Sequence, residues 1–518
     1  MIDRRSLLRA AGIISAGALV DCVAPPSASS PRPSLSPAAT PSTPAPTPTP
    51  APTPRTADWS ALARSLRGAL VRPGDAAYDA ARLLYNTRFD GIRPQGIARC
   101  ESTDDVRACV AFATQTGLPV AIRSGGHSYG GWSTGRGLVI DTGPLSSVQV
   151  SPDRAVIGAG ARLIDVYAAL AAAGAGIPGG SCATVGIGGL TLGGGVGVMS
   201  RLWGLTCDNL VSAEVVTADG RALVCDEQRE PDLFWALRGG GGSFGVVTSF
   251  VFRTHATGDL ALGFLSWPWS AASTVIAAWQ AWQRQATAAL WSNLHLDADP
   301  SGATLTLYAV HAGGTAALRA ALDGLDTATG IRAGRTTRTS SFAEVMLLDA
   351  GCAGLTAAQC HLAGQTPDGK LGRETYAATS IVALDPLSAG AIDTLVKGIA
   401  ALPQGTAGSV IYDALGGAVA GVAPEATPFP HRAALGVLQF IVNWSDPARE
   451  TEAGAWLRAY RAAVTARSSN AAYANYADPD FAGWPQAYYG LNYPRLQRVK
   501  RMYDPTNVLS FPQAIAPS

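Results

Sequence analysis

The chain has 518 residues, with 39 Lys and Arg against 38 Asp and Glu and a formal net charge of +1, a balance that excludes a broad basic face for nucleic acid. Hydrophobic residues at 47% and charged residues at 15% exclude disorder over most of the length, and because single cores stop growing near ~250–300 residues, two domains are expected. Fifty-eight glycines, well above the usual ~7%, point to backbone that approaches a ligand closely in several places.

Residues 1–30 open with Arg4-Arg5 and an apolar run from Ala10 to Val20, the pattern of a twin-arginine export signal. The run is too short to span a bilayer. It ends at Cys22, a candidate lipid anchor, although Asp21 stands where a lipoprotein signal has a small residue. Residues 31–56 are rich in Pro, Thr and Ala and read as an extended linker, either a tether or a stalk left by cleavage. In an exported protein cysteines can pair. Cys352 and Cys360, in one Gly- and Ala-containing loop, are the best disulfide candidates, and Cys100 with Cys109 is the weaker pair. Without a CxxC or a His-rich cluster, no metal site is expected.

Past the linker, Leu62, Leu66 and Leu70 recur at helical spacing. A strand ends at Ile97-Ala98-Arg99-Cys100, and Ser102 or Thr103 with Asp104 and Asp105 starts a helix that Gly117 and Pro119 stop. Val120 to Ile122 and Leu138 to Asp141 read as buried strands, Val211 to Thr217 as another, and Asp232 to Leu237 as a helix. Composition shifts near His255. Beyond it, Trp279 and Trp282 lie on an amphipathic helix, and Thr304 to Tyr308 alternates as a strand after the Asp299-Pro300-Ser301-Gly302 turn. The expected class is α+β: residues 57–255 and 471–518 forming one domain, and 256–470 a second with an antiparallel sheet covered by helices.

Three glycine runs in ~120 residues, at 125–131, 179–197 and 239–242, free backbone N–H groups to cradle a long diphosphate ligand. Gly193-x-Gly195-x-Gly197 with Asp219 imitates a dinucleotide fingerprint, but no clean strand precedes it, which argues against a nicotinamide-binding domain. Taken alone, His127 is a loop residue and Cys182 a buried thiol. Together, Arg123-Ser124-Gly125-Gly126-His127-Ser128 and Cys182-x-x-Val185-Gly186-Ile187-Gly188-Gly189 resemble the two flavin-attachment loops of berberine-bridge-enzyme-like oxidases, within the vanillyl-alcohol-oxidase-type FAD family. The likeness continues through Gly204-Leu205-x-x-Asp208-Asn209, the segment from Asp232 to Gly245, and the tail Tyr488-Tyr489-Gly490-x-Asn492 with Asp504-Pro505-x-Asn507.

The resemblance implies a two-part FAD domain and FAD attached twice, through the His127 imidazole to the flavin 8α carbon and the Cys182 sulfur to ring carbon 6. In the first loop it assigns FAD contacts to Arg123, Ser124, Gly125, Gly126 and Ser128. In the second it assigns them to Gly180, Thr184, Val185, Gly188, Gly189 and Gly193, and elsewhere to Val247, Tyr488, Asn492 and Asn507. Two tethers fix the flavin without bulk above it, leaving an open site for a large substrate. Tyr473-Ala474-Asn475-Tyr476 resembles the family motif whose second tyrosine is the catalytic base, here Tyr476. A phenol of pKa ~10 needs nearby cations or donors to serve near neutrality. Tyr473, if the segment is a strand, faces away. Gln439 is a candidate substrate contact or a plain edge-strand residue. Relatives carry a Lys or Tyr on the strand before Pro386-Leu387-Ser388, whereas Thr379 to Asp385 here offers neither. Gly180, two residues before the attached cysteine, is the smallest residue at the oxygen-gating position and favours oxidase over dehydrogenase.

The expected reaction is therefore oxidation of an alcohol or hemiacetal carbon, a sugar or oligosaccharide among the candidates, with oxygen reduced to hydrogen peroxide. A dehydrogenase or secondary-metabolite oxidase of the same fold, and a non-catalytic surface binding protein, are the alternatives. Residues 256–430 do not decide the substrate.

Overall fold

The computed structural model describes residues 56–518. The export signal, Cys22 and all but residue 56 of the linker lie outside the described residues.

Residues 57–255 build two main sheets, and Ala175–Gly176 pairs with His255–Ala256 in a small two-stranded one. In the first, strands Gly96–Arg99, Leu138–Asp141 and Val120–Arg123 run parallel, with Leu70–Val71 added antiparallel at one edge. Helix Thr103–Thr116 supplies the crossover. The Ser102 hydroxyl accepts from Asp105 N–H at 3.1 Å, and the Asp105 carboxylate accepts the N–H groups of Arg67, Gly68 and Glu101, so the helix start also anchors the incoming chain. The helical repeat over Leu62, Leu66 and Leu70 does not persist. The helix is Trp59–Ser65, the backbone turns extended at Leu66, and Leu70 pairs with Ala98 at the open edge of the sheet.

The second sheet has five antiparallel strands in the order Val148–Val150, Arg154–Gly158, Val246–Arg253, Leu210–Val216, Ala222–Cys225. The run Gly193 to Gly197 follows the short helix Ile187–Leu192, not a strand, and Asp219 pairs with Arg221 in a surface turn. Neither has the geometry of a dinucleotide fingerprint.

From Leu260 the chain forms a seven-stranded antiparallel sheet: Gly334–Ser340, Leu260–Trp267, Gly302–His311, Leu290–Asp299, Thr406–Ala414, Gly436–Trp444 and Tyr376–Ala383. Helices Ala272–Gln285, Gly314–Thr329, Ala389–Ala400 and Glu450–Thr465 cover one face. Trp279 is buried there, 4.6 Å from the Tyr412 ring. Residues beside Tyr412 point to the opposite face, which looks at the N-terminal half.

The tail then returns. Lys500 Nζ donates to the Ser243 carbonyl at 2.8 Å and to Asp504 at 2.6 Å, and the Tyr489 hydroxyl donates to the Gly240 carbonyl at 3.3 Å. Cys352 and Cys360 form a disulfide with Cα atoms 5.8 Å apart. Cys100 and Cys109 are unbonded thiols with sulfurs 3.9 Å apart.

Candidate active site

The glycine loops and the tail enclose a cleft with a cavity volume of about 300 Å³. Its wall includes Ser124, Gly126, His127 and Ser128 from the first loop and Gly180, Cys182, Val185, Gly188 and Gly189 from the second. Gly193, Val247 and Tyr488 complete it, with Gln439 and Tyr476 at one end. Residues assigned from segments more than 300 positions apart thus share one space.

The loops dock backbone to backbone. A Cβ at Gly125 would overlap the Gly186 amide nitrogen, so a side chain there would push the loops apart. Arg123 lies behind the cleft, Nη2 2.9 Å from Asp141 Oδ2, and braces the strand that delivers the loop. Thr184 is nearly buried and its hydroxyl meets His127 Nε2 at 2.7 Å. Asn492 and Asn507 do not line the cleft. Asn492 Nδ2 donates to the Pro424 carbonyl at 2.8 Å and the Thr427 carbonyl at 3.1 Å, and Asn507 occupies a left-handed turn. Both shape the backbone around the tail.

The arrangement suits FAD. Among the described residues the N–H groups of Gly126, His127 and Ser128 have no hydrogen-bond acceptor, a row of open donors of the kind that takes phosphate oxygens. Cβ positions at Gly189 and Gly242 point into free space along the cleft, where a planar ring system needs room. The imidazole of His127 is held neutral, its pKa brought down to about 3 by burial and then by the Arg162 guanidinium.

At the far end of the cleft the tail segment does not run as a strand. Ala474–Tyr476 is a single 3-10 turn, in which positions three apart fall on the same side. Tyr473 therefore does not face away. Its ring meets Tyr476 edge to face at 5.0 Å, and its hydroxyl oxygen accepts from Gly195 N–H at 2.8 Å and Asn475 Nδ2 at 2.9 Å. The Asn475 amide fills the space a Cβ at Gly193 would need. Tyr473 and Asn475 lock the glycine run, while Tyr476 is left to the cleft.

Tyr476 stacks on Tyr129, with centroids 5.6 Å apart and planes at 8°, and Tyr129 meets Tyr376 edge-on at 5.3 Å. Gln439 Nε2 donates to the Tyr129 hydroxyl, so Gln439 is a cleft residue and not a plain edge-strand one. The strand before Pro386 does supply a tyrosine. It is Tyr376, at the strand's first position, four residues from Ser380, whose hydroxyl accepts from Tyr473 N–H at 3.0 Å.

No cation lowers the Tyr476 phenol. Its pKa is driven up, first by burial and next by the Asp413 carboxylate. Asp413 lies on the Gln439 face of the sheet, opposite Val437 in register, and accepts from Asn293 Nδ2 at 3.2 Å. No motif marks Asp413, Tyr376 or Arg162 in the sequence. Tyr129 follows His127 by two residues and was within reach of the loop motif.

Two family models match the chain: an FAD binding domain over residues 94–226, and the berberine and berberine-like segment over 472–516. The uncharacterized FAD-linked oxidoreductase YgaK of Bacillus subtilis is 32% identical over 464 residues, spanning 87% of this chain and 97% of that protein. The chain belongs to the berberine-bridge-enzyme-like FAD-linked oxidoreductases. It is an FAD-dependent enzyme of that family, and its fold agrees: BBE-like 1 of Physcomitrella patens superposes with a TM-score of 0.82 at 29% identity, covering 89% of this chain and 99% of that one. Xylooligosaccharide oxidase of Thermothelomyces thermophilus is 29% identical over 474 residues, 84% of this chain and 89% of that protein. The berberine-like segment, residues 472–516, carries Tyr476.

Proposed function

We propose that the protein is an exported, bicovalently flavinylated oxidase that converts a hydroxyl-bearing carbon of a sugar or oligosaccharide, releasing hydrogen peroxide. FAD when bound supplies the two-electron chemistry, taking a hydride from the carbinol or hemiacetal carbon and passing the electrons to oxygen. His127 and Cys182, both on the cleft wall, would hold it.

The observation that carries the reading is the convergence of Tyr476, Tyr129 and Gln439 at the end of a cleft whose walls present His127 and Cys182, with Asp413 on the Gln439 face of the sheet and close enough for its charge to raise the Tyr476 pKa. A phenol with a raised pKa is a poor base alone. Next to a carboxylate it passes its own proton on as it accepts the substrate's, so Tyr476 takes the hydroxyl proton while Asp413 holds the displaced one. Tyr129 keeps the Tyr476 ring flat, and Gln439 orients Tyr129.

Substrate breadth follows from the sheet. Asn293, His295, Asp413, Gln439 and Asn443 share the face that looks at the cleft, a row of donors and acceptors suited to a polyhydroxylated ligand. The xylooligosaccharide oxidase relative acts on such a molecule by name. Gly180 is on the cleft wall, where any side chain would press on Leu190, and as glycine it keeps that wall free of bulk where oxygen would approach. The twin-arginine pattern supports a site outside the cytoplasm or on the envelope, with Cys22 a lipid-anchor candidate.

A peroxide-release screen of the purified protein over monosaccharides, oligosaccharides and aromatic alcohols tests the reading. Peroxide formation with oligosaccharides is expected. Turnover of aromatic alcohols alone would replace the sugar assignment, and reduction without peroxide would replace oxidase by dehydrogenase.

A further inference from the structure

Thr184 and Tyr85 grip the His127 ring from two sides. Tyr85 stacks on the imidazole at 4.1 Å with planes 18° apart, and the Thr184 hydroxyl sits 2.7 Å from Nε2. Nδ1 has no hydrogen-bond partner among the described residues and is not sealed from the cleft that His127 lines. The Arg162 guanidinium is close by, its Nη1 donating to the Ser124 carbonyl at 2.7 Å. A positive charge so near disfavours an imidazolium.

We propose that Thr184 is a positioning residue for flavin attachment: its hydroxyl oxygen accepts the Nε2 proton of His127, and this selects the tautomer whose lone pair lies on Nδ1. The ring nitrogen that carries the proton is set by the partner the other nitrogen lacks. Here only Nε2 has an acceptor in reach. The inference rests on the reading that FAD is attached at His127 and assigns the determinant of that attachment.

The step balances with oxygen as the oxidant. A C–H bond of the flavin 8α-methyl breaks and its proton leaves, and the Nδ1 lone pair forms the new N–C bond. Nε2 gives up its proton through Thr184, and the electron pair released reduces the ring. Oxygen then takes two electrons and two protons and leaves as hydrogen peroxide. A ring protonated on Nδ1 has no lone pair to offer the cleft, and a ring without the Thr184 contact populates both tautomers.

The test uses the purified holoprotein. Peptide mass spectrometry reads FAD on the His127 and Cys182 peptides, and NMR of the released aminoacyl flavin reads which nitrogen is bonded. In the wild type both peptides carry FAD and the histidine is bonded through Nδ1. Thr184→Val keeps the shape and removes the hydroxyl. FAD on the His127 peptide should fall about fivefold or more, the scale of one lost hydrogen bond, or divide between the two nitrogens. The Cys182 adduct should persist, and Thr184→Ser should restore the wild-type pattern. Full Nδ1 attachment in Thr184→Val overturns the proposal, as does loss of both adducts in a folded variant. Should that variant not fold, Thr184→Ala takes its place with the same two outcomes, and bonding through Nε2 in the wild type overturns the proposal outright. Absence of FAD from both wild-type peptides overturns the attachment reading itself, a result distinct from the others.

Discussion

Tyr129 lies flat on Tyr476, with 5.6 Å between ring centroids and 8° between planes, and its hydroxyl accepts from Gln439. Residues from a loop, a tail and a sheet thereby meet at one point. The stack fixes the phenol, and Asp413, whose charge raises the phenol's pKa, is the carboxylate to which the phenol would pass its proton. Tyr476→Phe should fold and attach flavin normally but lose roughly 10²–10⁴ in the rate of flavin reduction, the usual worth of general-base assistance. Stopped-flow bleaching of the flavin absorbance under anaerobic conditions reads it. An undiminished rate would remove Tyr476 from the mechanism.

Asp413→Asn keeps the shape and removes the charge. If the two act as a unit, the double variant Tyr476→Phe with Asp413→Asn should be no slower than Tyr476→Phe alone, because coupled residues are not additive. Multiplied losses in the same stopped-flow assay would show separate roles.

Tyr473→Phe should affect stability more than chemistry. It strips the acceptor from a buried Gly195 N–H and from one Asn475 N–H, which costs about 1–3 kcal/mol for an unsatisfied buried donor. Thermal unfolding and FAD content should both fall. A reductive half-reaction lost as fully as in Tyr476→Phe would give Tyr473 the proton instead.

Gly180→Val addresses oxygen. A Cβ at Gly180 would come within 3.0 Å of Leu190 Cδ1 and 3.5 Å of Leu163 Cδ1, so a branched side chain pushes Leu190 toward the cleft that it lines. Reoxidation of the reduced flavin should slow by about tenfold or more, equivalent to ~1.4 kcal/mol of barrier, with reduction by substrate largely kept. Equal reoxidation rates in variant and wild type would detach oxygen access from this position.

His431 gives a pH signature. Burial lowers its pKa to about 4, and its Nε2 donates to the Ala487 carbonyl at 2.9 Å. The folded state keeps the ring neutral while the unfolded state takes a proton below ~6.5. Stability is therefore whole above pH 6.5 and is lost as pH falls toward 4, by about 2 kcal/mol at pH 5. His431→Gln retains a donor and should flatten that acid slope in melting temperature against pH. A slope unchanged by the substitution would assign it to other groups.

Most elements and the glycine loops were legible in the sequence. Glycine loops, capped helices and alternating strands are local patterns, readable from spacing and order, whereas His127, Cys182, Gly180 and Tyr476 took their roles from the likeness of their segments to the family's motifs. Tertiary structure alone decided which of them meet. The turn at Ala474–Tyr476 reversed the expected orientation of Tyr473, since a three-residue helical turn and a strand cannot be separated by so short a pattern. Asp413 entered the site through strand register, where one residue's shift would have sent it to the helix-covered face beside Tyr412. Thr184 became the partner of His127 only because two loops 57 residues apart pack backbone to backbone. Register and docking are properties of distant segments in contact, and no window of the sequence contains them.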